Sequence, residues 1–214
     1  MTSSVVRRAN ELKCRRIISG LEKRGMTGYY CENSREACEK VLSLIPNGSR
    51  VSWGGSATLE EIEVKDRLEL VNAQIIDPQS ISDPEEAYRA RVNALNSDVF
   101  LTSTNAVTME GELVNIDGSG NRTAAICFGP RRVVIVAGVN KIAADEKDAI
   151  SRIKKDACPA NCIRLGKETP CAVTGVCGDC MKVGQTICAM TLTTRFCNKP
   201  DRIHVVLVNE ILGY

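Results

Sequence analysis

The chain has 214 residues, 43% of them hydrophobic and 25% charged, with a formal net charge of +2; this composition suits a globular fold with a continuous core and excludes a disordered or fibrous chain. Its basic residues are scattered, so no nucleic-acid partner is expected, and the absence of a signal-type apolar run near the N-terminus and of any bilayer-length apolar stretch predicts a cytoplasmic protein with no membrane span. Eleven cysteines, an odd number without an export signal, point to thiolate chemistry or metal binding rather than to disulfides.

Val5 to Lys23 sets Val5, Leu12, Ile17, Ile18 and Leu21 among charges, which predicts an amphipathic helix closed by Gly25. Asn33 and Glu36 form a capping box that opens a second helix through about Leu44, ended by the turn Pro46-Asn47-Gly48. Arg50 to Trp53 is the first expected strand. It runs into Gly54-Gly55-Ser56, after which Thr58 and Glu61 make a further capping box for a helix. Gln74 to Asp77 reads as a short strand, and Asp83 with Pro84 opens a helix through about Leu95. Asp98 to Ser103 and Val133 to Gly138 are strands of the fully buried kind. Between them, Leu113 to Asp117 and Ala124 to Phe128 read as the arms of a hairpin around Gly118-Ser119-Gly120-Asn121. Asp145 caps a helix carrying Ala149, Ile150 and Ile153, the pattern stops at Cys158-Pro159, and Ile203 to Val208 is the last strand. The whole chain, 1–214, is thus expected to form one α/β domain, an open and mostly parallel sheet with helices on both faces, an inserted hairpin, and a cysteine-rich insertion at 158–197.

In such sheets ligands sit at the carboxyl ends of the strands. Those ends are Gly54-Gly55-Ser56, Thr102 to Asn105 and Gly138 to Lys141, and their convergence would build one site from glycine, hydroxyl and amide groups. Strand, paired glycines and helix suit contact with an anion, although close helix-on-sheet packing explains the same glycines. His204, the sole histidine, lies inside the last apolar strand and is expected to pack or pair locally.

Seven of the cysteines, Cys158, Cys162, Cys171, Cys177, Cys180, Cys188 and Cys197, fall within the insertion. That stretch is rich in Pro, Gly, Thr and Asn and poor in large apolar residues, so a metal could supply the free energy that burial does not. Zinc and iron–sulfur clusters both accept four thiolates, but only Cys177 and Cys180 have the C-x2-C spacing that zinc sites commonly pair. Three close cysteines with a fourth farther on suit a cubane cluster better; zinc is the alternative, and thiols without metal stay open. Cys14, Cys31, Cys38 and Cys127 sit in helix or strand patterns, as small buried hydrophobes do.

Val51 to Ile62, Thr104 to Arg122 and Val136 to Ile142 together resemble the signatures of the LUD-domain (lactate utilisation) family, in a cysteine-rich variant. The resemblance implies a fold like that of glucosamine-6-phosphate deaminase, ribose-5-phosphate isomerase and the coenzyme A transferases. It also links some members to lactate oxidation through partner proteins that carry iron–sulfur clusters. Thr169-Pro170-Cys171, Thr174 to Cys180 and Ile187-Cys188 resemble a cysteine version of the domain, which makes Cys171, Cys177, Cys180 and Cys188 the expected ligands of a [4Fe-4S] cluster, with Cys158 and Cys162 next. Related isomerases and transferases use a carboxylate beside the glycine loops as base or nucleophile, so Glu110 and Asp117 are the catalytic candidates; an Asp before Gly is equally an ordinary turn residue. Gly54, Gly55, Ser56, Asn105, Arg122, Asn140 and Lys141 are the candidate contacts to a small anionic metabolite. The resulting expectation is redox, electron-transfer or cluster-assisted chemistry, with other redox proteins or a second copy of the chain as partners. The alternatives are a metal-independent isomerase or transferase acting on a sugar phosphate or coenzyme A-linked substrate, and a metabolite-binding regulator with structural zinc.

Overall fold

The computed structural model describes residues 3–214. Helix α1 (Ser4–Lys23) is capped by the Ser3 hydroxyl, which accepts from the Val6 N–H, and it buries Cys14, Ile17 and Leu21 while leaving Val5 and Leu12 exposed. The expected cap of α2 (Ser34–Ser43) is present, with the Glu36 N–H donating to Asn33 Oδ1 and the Glu32 N–H to Glu36 Oε2. Between them lies a strand that the pattern did not announce, β1 (Thr27–Cys31). It is short, and all but its last residue are only half-buried, so it carries little hydrophobic signal of its own.

The principal sheet has the order β1-β10-β7-β4-β2-β3, comprising β1, β2 (Arg50–Trp53), β3 (Gln74–Ile76), β4 (Val99–Ser103), β7 (Arg132–Gly138) and β10 (Ile203–Val208). All its pairings are parallel, among the described residues. Alternate residues feed two cores: Val134, Val136, Val206 and Val208 pack with α2 and α3 (Ala57–Glu61), whereas Val133, Ile135, Val205 and Leu207 pack with α1 and α5 (Asn121–Cys127). The strands are therefore apolar on both faces, as a helix-covered parallel sheet requires.

Four expectations are corrected. Ala124 to Phe128 is not a strand: most of it lies in α5, because Gly120 takes a left-handed φ of 79° and the Asp117 carboxylate accepts from the Gly120 and Thr123 N–H groups, starting a helix. The hairpin is instead β5 (Ala106–Thr108) with β6 (Leu113–Asp117). The helix after Gly55 is a short turn capped by Ser56, not by Thr58, and Glu61 accepts from the Gly213 N–H instead. Cys127 is exposed, whereas Cys14, Cys31 and Cys38 are buried as expected.

The cysteine-rich insertion is also more regular than its composition suggests. After α6 (Glu146–Arg152), a π turn over Ile153–Ala157 leads into α7 (Cys158–Arg164), so the helical path continues past Pro159. Pro159 falls in the first turn of α7, where its missing N–H costs least. Helix α8 (Pro170–Thr174) follows, and β9 (Met190–Thr194) pairs antiparallel with β6. A second sheet of order β8-β5-β6-β9, with β8 at Ile142–Ala143, thus flanks the first.

Helix α1 lies against the β5–β6 turn at Gly20, where an added Cβ would stand 2.5 Å from the Glu110 carbonyl oxygen. Gly20→Ala should therefore lower stability by about 1–3 kcal/mol, read as a shifted urea midpoint; an unchanged midpoint would show that α1 can move away from the turn.

Candidate functional site

Because the principal strands are parallel, their carboxyl ends meet at one edge. There a cleft of about 630 Å³ is lined by Gly55 to Thr58 after β2, Ser103 to Asn105 after β4, Lys141 after β7, and Gly213-Tyr214 after β10. The three loops expected to converge do so. Ile116 to Gly118 from the second sheet and Arg122 close one side, and Asn161, Arg164 and Leu165 close another.

Arg122 is the anchor of this edge. Its guanidinium donates to the Ser103 and Ile116 carbonyls and to the Asn115 and Asn105 Oδ1 atoms at 2.7–3.2 Å, and Asp117 stands 3.7 Å from Nε. The Arg122 stem passes over Gly54, where an added Cβ would make ordinary van der Waals contact with Cδ at 3.5 Å. Asn105 and Asp117 are thereby occupied in holding Arg122 and the start of α5. Burial holds the Arg122 guanidinium below its ordinary value.

Lys141 is 4% exposed. Its Nζ donates to Thr58 Oγ1 and Ser103 Oγ, both at 2.8 Å. Burial, reinforced by the positive charges of Arg152 and Arg122 and opposed by Glu61, lowers it to about 7. Asn140 sits beside it but serves structure: its Oδ1 accepts from the Leu212 N–H and its Nδ2 donates to the Gly213 carbonyl, fixing the segment that closes the cleft. Arg152, a half-buried cation, donates to the Asn140 and Asn105 carbonyls and ties two cleft loops together.

Of the remaining candidates, Gly55 and Ser56 line the cleft, with the Ser56 hydroxyl accepting from the Leu59 N–H. Glu110 is elsewhere: it is exposed on the β5–β6 turn and pairs with Arg16 of α1 at 2.5 Å, which lowers it. The structure does not bring Glu110 and Asp117 together at the cleft. Arg91, Arg164, Lys167 and Gln79, which sequence patterning did not select, line it as well. They lie on helices or in loops distant in sequence, and only the fold gathers them. Ser103 could have been suspected from its place at the end of β4, and Thr58 from its place in the first turn of α3, directly after the glycine loop.

A second cavity, also about 630 Å³, is lined by Cys158, Cys162, Cys171, Cys177, Cys180 and Cys188. The Cys158 and Cys188 sulfurs are 3.2 Å apart; their shared hydrogen bond lowers Cys188 and, with burial, raises Cys158. Cys171 lies 3.3 Å from the Thr169 hydroxyl, and Cys180 lies 3.7 Å from that of Thr186. The two cavities share Ile116, Gly118, Gly184, Thr186 and Ile187 as a common wall. Cys197 is apart, buried with the α1 face of the main core and donating to the Lys199 carbonyl. His204 is buried, with Nδ1 3.1 Å from the Tyr29 hydroxyl and Nε2 3.1 Å from the Asp201 carbonyl, a local pairing as expected. Among the described residues no three His, Cys, Asp or Glu side chains are close enough together to hold a single metal ion.

The fold and site define an open parallel α/β protein with a cationic cleft at the carboxyl edge of its strands and a cysteine-lined cavity beside it. A family model described as the LUD domain matches residues 14–208, and the chain belongs to that family. In the solved structures it is similar to a DUF162 family protein from Deinococcus radiodurans at 13% identity and a TM-score of 0.54, covering 93% of this chain and 98% of that one. That likeness concerns the fold. None of the curated proteins compared with the chain matches it. No helix among the described residues is long and apolar enough to cross a membrane.

The pH dependence of stability should expose the state of Lys141. Unfolded, it holds its proton up to about 10.5; folded, only to about 7. Between those values the unfolded state binds the extra proton, so this residue makes the fold more stable as pH rises and contributes no slope below the window. Wild type should gain stability relative to Lys141→Met across that window, read from urea midpoints. A flat difference would mean that the folded protein keeps the proton.

Proposed function

We propose that this LUD-domain protein binds an iron–sulfur cluster, a [4Fe-4S] cubane, through Cys171, Cys177, Cys180 and Cys188, next to a cleft that takes a small anionic metabolite. The observation that carries the reading is the gathering of six thiols from α7, α8 and the following loop around one cavity that shares a wall with the cleft. Thiolates are the donors that such clusters use. Cys158 and Cys162, on α7, are the reserve ligands.

When bound, the cluster would supply electron transfer or, with one iron left open, Lewis acidity. The chain's own residues do the rest. Gly178 lets the loop close, since a Cβ there would stand 2.9 Å from Pro170 Cβ, and Thr169 and Thr186 place hydroxyls beside Cys171 and Cys180. In the cleft, Arg91, Arg122, Lys141, Arg164 and Lys167 face one carboxylate side chain among the described residues, that of Asp117. This imbalance favours an anion, such as a carboxylate of the class to which lactate belongs or a phosphate. Redox proteins are the natural partners of such a centre.

Anaerobically purified protein should show the broad visible absorbance of thiolate-to-iron charge transfer, with iron and acid-labile sulfide in equal amounts. The double variant Cys177→Ser, Cys180→Ser should lose both while keeping the wild-type far-ultraviolet spectrum. Zinc in place of iron, or iron without sulfide, would overturn the cluster reading.

A further inference from the structure

Lys141 has an arrangement that anion binding alone does not require. Ser103 Oγ directs its proton to the Val136 carbonyl at 2.7 Å, and Thr58 Oγ1 directs its own to the Leu212 carbonyl at 3.4 Å. Both hydroxyl oxygens can therefore only accept from Nζ. A neutral amine has two N–H bonds and one lone pair; with both N–H bonds given to Thr58 and Ser103, the lone pair is left over, and Lys141 lines the cleft. The charged groups facing it are Arg152 and Arg122, both bound to carbonyls or amides, and Glu61, whose carboxylate is taken by the Gly213 N–H. Neighbouring cations and burial are the two circumstances that turn a lysine into a nucleophile at neutral pH, and both act here in the same direction.

We propose that Lys141 is a nucleophilic amine that condenses with the carbonyl carbon of an anionic aldehyde or ketone in the cleft. This rests on the reading of the cleft as an anion site. The nitrogen lone pair forms the C–N bond as the carbonyl π pair moves to oxygen, and one amine proton passes to that oxygen, giving a carbinolamine. The C–O bond then breaks as nitrogen forms the C=N bond, and the second amine proton leaves with the hydroxyl as water. Amine and carbonyl become imine and water, with no oxidant or reductant consumed. Arg91, Arg164 and Lys167 select carbonyl compounds that carry a carboxylate or phosphate.

The probe is glyoxylate, a small aldehyde with one carboxylate, added with cyanoborohydride to the full chain at neutral pH and followed by peptide mass mapping. Glycolate, its alcohol counterpart, is titrated separately because it can bind as an anion but cannot form an imine. A single saturable carboxymethyl adduct on Lys141, suppressed by glycolate and absent from Lys141→Met, is the expected result. If that variant does not fold, the wild-type peptide map still decides. Glycolate binding without an adduct at Lys141, or adducts spread over surface lysines, overturns the imine and leaves the anion site standing. Neither binding nor adduct overturns both.

Discussion

A largely buried guanidinium must be hydrogen-bonded at nearly every N–H or it costs the fold several kcal/mol, and the edge of this protein is arranged around that demand at Arg122. The partners come from three places: the Ser103 carbonyl ends β4, Asn115 and the Ile116 carbonyl belong to β6, and Asn105 bridges them. Satisfying one cation therefore locks the second sheet to the carboxyl edge of the first. The cleft lies where the second sheet meets the carboxyl edge of the first, and not on any one loop.

With Arg122 fully engaged, the buried cation left to face the cleft is Lys141. Its two partners are hydroxyls whose protons are committed to carbonyls, so nothing in its immediate contacts stabilises the charged form as a carboxylate would. Charge and lone pair are alternatives at this nitrogen. An anion in the cleft favours the first, and an electrophilic carbon uses the second.

The cysteine cavity depends on the same scaffold. Strand β9 is zipped onto β6, α7 continues the path of α6 through the π turn, and the loop between them is carried by polar ties such as Lys167 to the Gly184 carbonyl and the Glu168 N–H to Gln185. Fixed at both ends and loosely filled in between, the segment presents its thiols to one space while Gly184, Thr186 and Ile187 also line the cleft. The two cavities are therefore separated by a thin wall, made by Ile116 and Gly118 at the end of β6 on one side and by Gly184, Thr186 and Ile187 on the other.

The amino-acid sequence by itself determined the buried strands β4, β7 and β10, the caps at Asn33, Asp83 and Asp145, and the convergence of the strand ends on one edge, because these rest on local periodicity, local hydrogen bonds and the one-way geometry of parallel sheets. It also singled out Lys141, Arg122 and the thiol cluster as residue types that demand explanation. Only the tertiary structure decided what each does. Ala124 to Phe128 has strand propensity but was drawn largely into a helix by Gly120 and Asp117, and β1 formed because β10 offered it an edge. Glu110 was sent to an ion pair on α1, Asp117 to a helix start, and Cys197 to the core, while Arg91, Arg164 and Lys167 were brought to the cleft from distant elements. A side chain's role follows from which charges, hydroxyls and apolar groups surround it, and those neighbours are chosen by long-range packing that no local pattern encodes.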